Sequence, residues 1–306
     1  MIAVNSSRSP IGVDFRPKPR RPMPTPKRPV ERQKRKSVTI AAGFKFKDGI
    51  LLCADREITE GISKFSEVKV FGERMGSDVS LAFTLAGAMD YAEMAIQEII
   101  AVVKSSHLTT HAAIWGTIRD KVHNIYSESI GILPEMQRAE SQFNLLVAVW
   151  AEGSHKLYVT ENTAIKEVPS FRCIGIGKEL AKYMLIRDGV YGTERASLGM
   201  AEPVALRLLN HVKESVSGCG KETDVLIVGS DGVLTRKDQN DYEFELKLVE
   251  LYDQMSRVLF AFSLEFDMPD REREVGFWLA LNNYRDRLKI LQGERQKRKE
   301  EEAGDA

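Results

Sequence analysis

The sequence predicts an α+β protein in which two antiparallel sheets are layered between helices, an αββα sandwich. Three observations carry this reading. Strands and helices come in blocks instead of strict alternation, which argues against a doubly wound parallel sheet. The stretch Thr39 to Thr59, TIAAGFKFKDGILLCADREIT, reads as two strands closed by a tight turn at Lys47-Asp48-Gly49. Later apolar runs are short enough for buried strands, and the helical stripes between them are long.

Residues 1–37 come first and cannot build a core. They hold eleven Lys or Arg against Asp14 and Glu31, and seven of the eleven prolines. That composition predicts a disordered or extended basic arm. In the opening hairpin, Ile50 to Ala54 is an unbroken apolar run, as expected of a strand buried on both faces. The charged pair Asp55-Arg56 follows it directly, and a carboxylate at the end of a buried strand needs a partner. Gly61 to Phe71 reads as a loop and a short strand carrying Lys69, and Ser80 to Ala86 as another strand ending at Gly87.

A helix follows, with Ala92, Ile96, Ile99, Ile100 and Val103 on one face, and a second runs from about His111 to Ser129. Phe143 to Trp150 reads as a buried strand, and Leu157–Thr160 with Ala164–Val168 as a hairpin. Arg172 to Gly177 ends a strand before a helix from Lys178 to Ile186. Another helix has Pro203 in its first turn. Asp224–Val228 and Val233-Leu234 pair around the Ser230-Asp231-Gly232 turn. Two long helices close the chain. The stripe Val275, Trp278, Leu281, Leu288 and Leu291 on the second is assigned to subunit or partner packing. This organisation gives an arm (1–37), one domain (38–293) and a charged disordered tail (294–306).

Composition narrows the function classes. At 306 residues with 43% hydrophobic content, a large core is available. Cys53, Cys173 and Cys219 are scattered and odd in number, so neither a disulfide framework nor a metal site is expected. The five histidines have no ligand spacing, and no cofactor motif is present. With no secretory signal and no run long enough to span a bilayer, a cytoplasmic protein is expected. The basic arm holds a single aromatic, Phe15, and none within its basic run beyond Arg16, so nucleic acid is not the expected partner.

The ordered set Thr39, Gly43, Lys47-Asp48-Gly49, apolar strand, Ala54-Asp55-Arg56, Thr59-x-Gly61 and Lys69-x-Phe71 resembles the start of a mature proteasome β-subunit. That family belongs to the N-terminal-nucleophile (Ntn) hydrolases, whose fold is the αββα sandwich. The resemblance implies a threonine peptidase acting on peptide or unfolded protein within a homo-oligomeric ring, with room for an ATPase partner. It assigns the nucleophile to Thr39, freed by removal of residues 1–38, and supporting roles to Asp55 and Lys69. The oxyanion donor would be the backbone N–H of Gly87, and a supporting hydroxyl would come from Ser217. A free α-amino group, with a pKa of about 7.7–8.0, would serve as the base. Ile58, Thr59 and Leu85 fall at substrate-binding positions.

Each residue also has a plainer role. Thr39 suits a strand, Asp55 suits a cap on Arg56, and Lys69 suits a protective edge lysine. It is the set, at these positions, that points to catalysis. The sequence departs from the family pattern at three places. Val38 replaces the glycine before the cut bond. Gly175-Ile176-Gly177 lacks the family's serine. Glu214-Ser215-Val216-Ser217-Gly218 stands where an Asp-x-x-Ser-Gly segment is expected, with about two residues more than usual before Asp224. The alternative is therefore a non-catalytic, α-subunit-like member of the same fold. A third reading is a protein that binds through its basic arm.

Overall fold

The computed structural model describes residues 36–37, 39–60, 63–187, 193–237, 242–264 and 269–304. The chain divides into two units, Met1–Arg32 and Gln33–Ala306, and the first lies outside the described residues.

The second unit opens with strands β1 (Lys36–Ser37), β2 (Ile40–Phe46), β3 (Gly49–Asp55), β4 (Glu57–Glu60), β5 (Ser63–Ser66), β6 (Val70–Met75) and β7 (Val79–Ala88). Helices α1 (Met89–Ser105), α2 (His111–Asn124) and α3 (Glu135–Glu140) follow. Next come β8 (Phe143–Ala151), β9 (Ser154–Glu161), β10 (Ala164–Val168) and β11 (Phe171–Gly175). The chain then forms α4 (Lys178–Arg187), α5 (Ala201–Ser215), β12 (Thr223–Gly229), β13 (Leu234–Lys237), α6 (Glu243–Leu264) and α7 (Asp270–Gly304). Among the described residues these make an eight-stranded sheet, ordered β10-β9-β8-β7-β1-β4-β5 with β6 also on β7, and a five-stranded sheet, β11-β2-β3-β12-β13. All the pairings are antiparallel.

Three apolar cores make this the four-layer αββα sandwich. Ile96, Ile99, Ile114 and Ile118 of α1 and α2 pack on Leu81, Phe83 and Val147 of the larger sheet. Leu206, Leu209 and Val212 of α5 pack on Ile40, Phe44 and Leu51 of the smaller one. Between the sheets, Ala41, Leu52 and Ala54 meet Ala82, Leu146 and Val159. Side chains alternate along a strand, so β2 and β3 feed two cores at once, which explains the unbroken apolar run. The β2–β3 turn falls where expected. Gly49 is there because a Cβ would stand 2.4 Å from the Val228 carbonyl oxygen.

The structure departs from the sequence reading in several elements. Ser63–Ser66 pairs with Glu57–Glu60 as a strand where a loop is expected. Lys69 lies just before β6 instead of within a strand. Beyond Asn124, α2 continues as a π-helical turn, Ile125–Ile130, with the Gly131 N–H on the Tyr126 carbonyl at 2.7 Å. Helix α7 runs through Gly304, past the start of the expected tail. Its last turns are rich in Glu, Lys, Arg and Gln, good helix formers, and Gln296 bonds Glu300 one turn on at 2.8 Å. The apolar stripe on α7 divides: Val275 and Trp278 are more than half exposed, whereas Leu281, Leu288 and Leu291 are half-buried.

Candidate functional site

The β2–β3 hairpin brings Thr39, just before β2, beside Asp55 at the end of β3. Both are wholly buried, as is Lys69. The Thr39 hydroxyl donates to Asp55 Oδ1. Lys69 Nζ donates to Thr39 Oγ1 at 2.8 Å, to Asp55 Oδ1 at 3.1 Å and to the Glu57 carbonyl at 2.5 Å. Backbone amides complete the Asp55 shell, with Ile40 N–H on Oδ1 at 3.2 Å and Gly220 N–H on Oδ2 at 2.8 Å. A buried carboxylate and ammonium are tolerated because every strong hydrogen-bonding position has a partner. Burial pushes the Lys69 ammonium below its usual pKa, while the Asp55 charge and hydrogen bond pull it back up.

Two glycines shape the surroundings. Gly175 has φ +93° and lies against Thr39, where a Cβ would stand 2.1 Å from the Thr39 carbonyl oxygen. Gly87, at φ +102°, would put a Cβ 2.3 Å from the Gln142 carbonyl. Gly87 faces the residues upstream of Thr39. Strand β1 pairs Ser37 with Gly87, and Lys36 with both Ala88 of β7 and Thr59 of β4. Two upstream residues thus fill the gap between β4 and β7 and carry the sheet ladder across it.

Of the residues expected from sequence, Thr39, Asp55 and Lys69 converge through direct hydrogen bonds. Gly87 and Thr59 flank β1. Ile58 and Leu85 are fully buried in the core beneath α1 and α2. Ser217 is exposed, and the residues of its loop that reach the cluster are Cys219 and Gly220. Cys219 is buried, and its thiol is pushed up to about 12, first by burial and then by the nearby Asp55 charge, against Lys69. The signal for this was the excess of two residues before Asp224. Moving the match from Ser217-Gly218 to Cys219-Gly220 removes it. The lysine contact of the Glu57 carbonyl had no sequence signal, because a backbone oxygen leaves none. Ile176 is 59% exposed. Among the described residues, no group of His, Cys, Asp or Glu could hold a metal ion, and no helix is long and apolar enough to cross a membrane.

Comparison with known proteins assigns the chain, and its fold, to a family. No curated protein sequence matches the chain. Solved structures of similar fold include Anbu from Hyphomicrobium sp. strain MC1, 17% identical with a TM-score of 0.62, covering 75% of this chain and 100% of that one. Anbu, the ancestral β-subunit, from Yersinia bercovieri is 14% identical with a TM-score of 0.61 over 73% and 97% of the two chains. The Anbu complex from Pseudomonas aeruginosa, described as a helical assembly, is 16% identical with a TM-score of 0.59 over 76% and 98%. A family model for proteasome subunits matches residues 36–228. The chain belongs to the proteasome subunit family.

Proposed function

We propose that the chain is a threonine-type Ntn hydrolase whose nucleophile is Thr39, released by cleavage after Val38. One observation carries the reading: Lys69 Nζ and Asp55 both hydrogen-bond the Thr39 hydroxyl in a site closed to solvent. There the ammonium favours the alkoxide form of Thr39, and Asp55 holds the ammonium. In self-processing, Thr39 Oγ1 attacks the Val38 carbonyl carbon, and the C–N bond breaks to leave an ester and the Thr39 amine. Water then hydrolyses the ester and releases residues 1–38. The freed amine takes the hydroxyl proton in later turnovers, and the Gly87 amide serves the oxyanion.

Substrate would be a peptide or unfolded protein adding as a strand between β4 and β7, where Lys36 and Ser37 pair now. Thr59 would then meet the residue before the cut bond through its backbone, with Ile58 and Leu85 in the core behind it. The Pseudomonas aeruginosa protein forms a helical assembly; for this chain, self-association is proposed as a homo-oligomeric ring in the cytoplasm, open to an ATPase partner. Intact mass tests the reading. Wild type should begin at Thr39, and Thr39→Ala should keep residues 1–38. A wild type that stays full length removes self-processing.

A second reading is a non-catalytic subunit. It is favoured by β1, which in the uncut chain ties β4 to β7, and by Val38, a stiff β-branched residue before the cut position. It expects both proteins to remain uncut and to assemble.

A further inference from the structure

Lys69 must deliver its amine to three partners, yet residues 67–69 belong to no strand. Side-chain and loop ties replace the ladder. The Ser66 hydroxyl donates to Glu222 Oε2 at 2.7 Å, and Glu67 N–H donates to the Arg56 carbonyl at 3.0 Å. Lys69 N–H donates to Asp224 Oδ2 at 3.3 Å, and Arg236 Nη2 donates to the Val70 carbonyl at 2.7 Å. The centre of this set is Asp224, wholly buried on β12. Its Oδ1 receives Arg56 Nε at 2.9 Å and Nη2 at 2.6 Å, with Arg236 Nη2 4.0 Å away.

A buried ion pair is weak evidence for stability, because an apolar pair of the same volume often serves as well. What apolar residues cannot do here is accept the Lys69 amide. Asp224 lies on the five-stranded sheet and Lys69 leads into β6 of the eight-stranded one, so the contact also fixes one sheet against the other beside the nucleophile. Arg56 follows Asp55 directly in sequence, so the pair joins the two ends of the cluster.

We propose that Asp224, oriented by Arg56, is a positioning residue for Lys69: it holds the backbone from which the amine enters the Thr39–Asp55 pair. The importance of that role for catalysis rests on the hydrolase reading above; the positioning itself does not. The Lys69 amine faces Asp55 from β3, the Glu57 carbonyl and carboxyl from β4, and Cys219 from the loop after α5, with Asp224, Arg56 and Arg236 behind its backbone. If the loop loosens, Asp55 no longer supports the ammonium while burial persists, so the Lys69 midpoint falls.

The test follows the Lys69 side-chain ammonium by NMR across pH in the full chain carrying 15N-lysine, alongside the rate of release of Thr39 by intact mass. Asp224→Ala should lower the midpoint and slow release about 10- to 100-fold. Asp224→Asn, whose amide oxygen still accepts the Lys69 N–H, should do less of both. Should Asp224→Ala fail to fold, Asp224→Asn and Arg56→Gln carry the comparison. If the variants melt at lower temperature but Lys69 titrates and Thr39 is released as in wild type, Asp224 is merely structural and the proposal is overturned. If wild type never releases Thr39 while the variants still move the Lys69 midpoint, the hydrolase reading fails and the positioning role stands.

Discussion

The Thr39 site and the α6–α7 hairpin hold charge in opposite ways. At the site, Asp55 and Lys69 are fully buried, and their partners come from β2, β3, β4 and the loop before β12. On the hairpin, Lys247 reaches Glu243 at 3.2 Å and Glu294 at 3.6 Å with all three side chains exposed, and Arg285 lies 3.8 Å from Asp286 in the same condition. The surface pairs cost little to place and contribute little. The buried set is costly to desolvate and holds only while complete. Charges arranged at such cost around one hydroxyl point to a requirement on that hydroxyl's chemistry, whereas those on α7 keep a long helix solvated.

The two regions differ most in what the loss of one charge does, and at the site that charge is Asp55. Asp55→Ala removes the counter-charge of the buried Lys69 ammonium and the acceptor of the Ile40 and Gly220 amides, and should lower the unfolding free energy by about 3–5 kcal/mol. Urea unfolding checks this, and a loss below about 1 kcal/mol would contradict the accounting.

The buried site also responds to pH. Burial depresses the Lys69 pKa in the folded chain, so between its folded midpoint and about 10.4 the unfolded chain binds more protons. Below that interval both states are protonated and the burial penalty is in full force; it is relieved as pH climbs through it. The stability of wild type relative to Lys69→Met should therefore rise with pH in that window. A flat difference would mean that Lys69 titrates as in the unfolded chain.

Smaller effects come from Cys219 and then from the surface. With its thiol raised to about 12 and its side chain buried, Cys219 should resist alkylation by iodoacetamide at pH 8 until denaturant is added. Rapid labelling of the folded protein at Cys219 would show that its loop opens. Arg285→Ala on α7 should change the unfolding free energy by no more than about 0.5 kcal/mol, and a larger loss would show that the hairpin charges do structural work.

Much of this was legible in the sequence because it is local. The alternation through β2 and β3 and the short turn between them set Thr39 and Asp55 side by side without any long-range information. Lys69 was legible as a residue but not as a loop residue, since its ties run to Arg56, Glu222, Asp224 and Arg236, the last three bonds spanning 155 to 166 residues of chain. The loop after α5 carries two small-residue pairs, Ser217-Gly218 and Cys219-Gly220, and local pattern does not say which one meets Asp55. Strand β1 was illegible for a related reason: Lys36-Ser37 closes a basic, proline-rich stretch, and its strand character comes from two edges of a folded sheet.

The proposed hydrolase requires Thr39, Lys69 and Asp55 to form a working nucleophile. A chain released to begin at Thr39 by a fused, separately cleaved leader bypasses self-processing and isolates that requirement. Exposure to a peptide β-lactone should acylate Thr39, visible as a mass increase confined to the N-terminal fragment, and Lys69→Ala should abolish it. An unmodified Thr39, or equal labelling in Lys69→Ala, would rule out the hydrolase and leave the fold with a structural role.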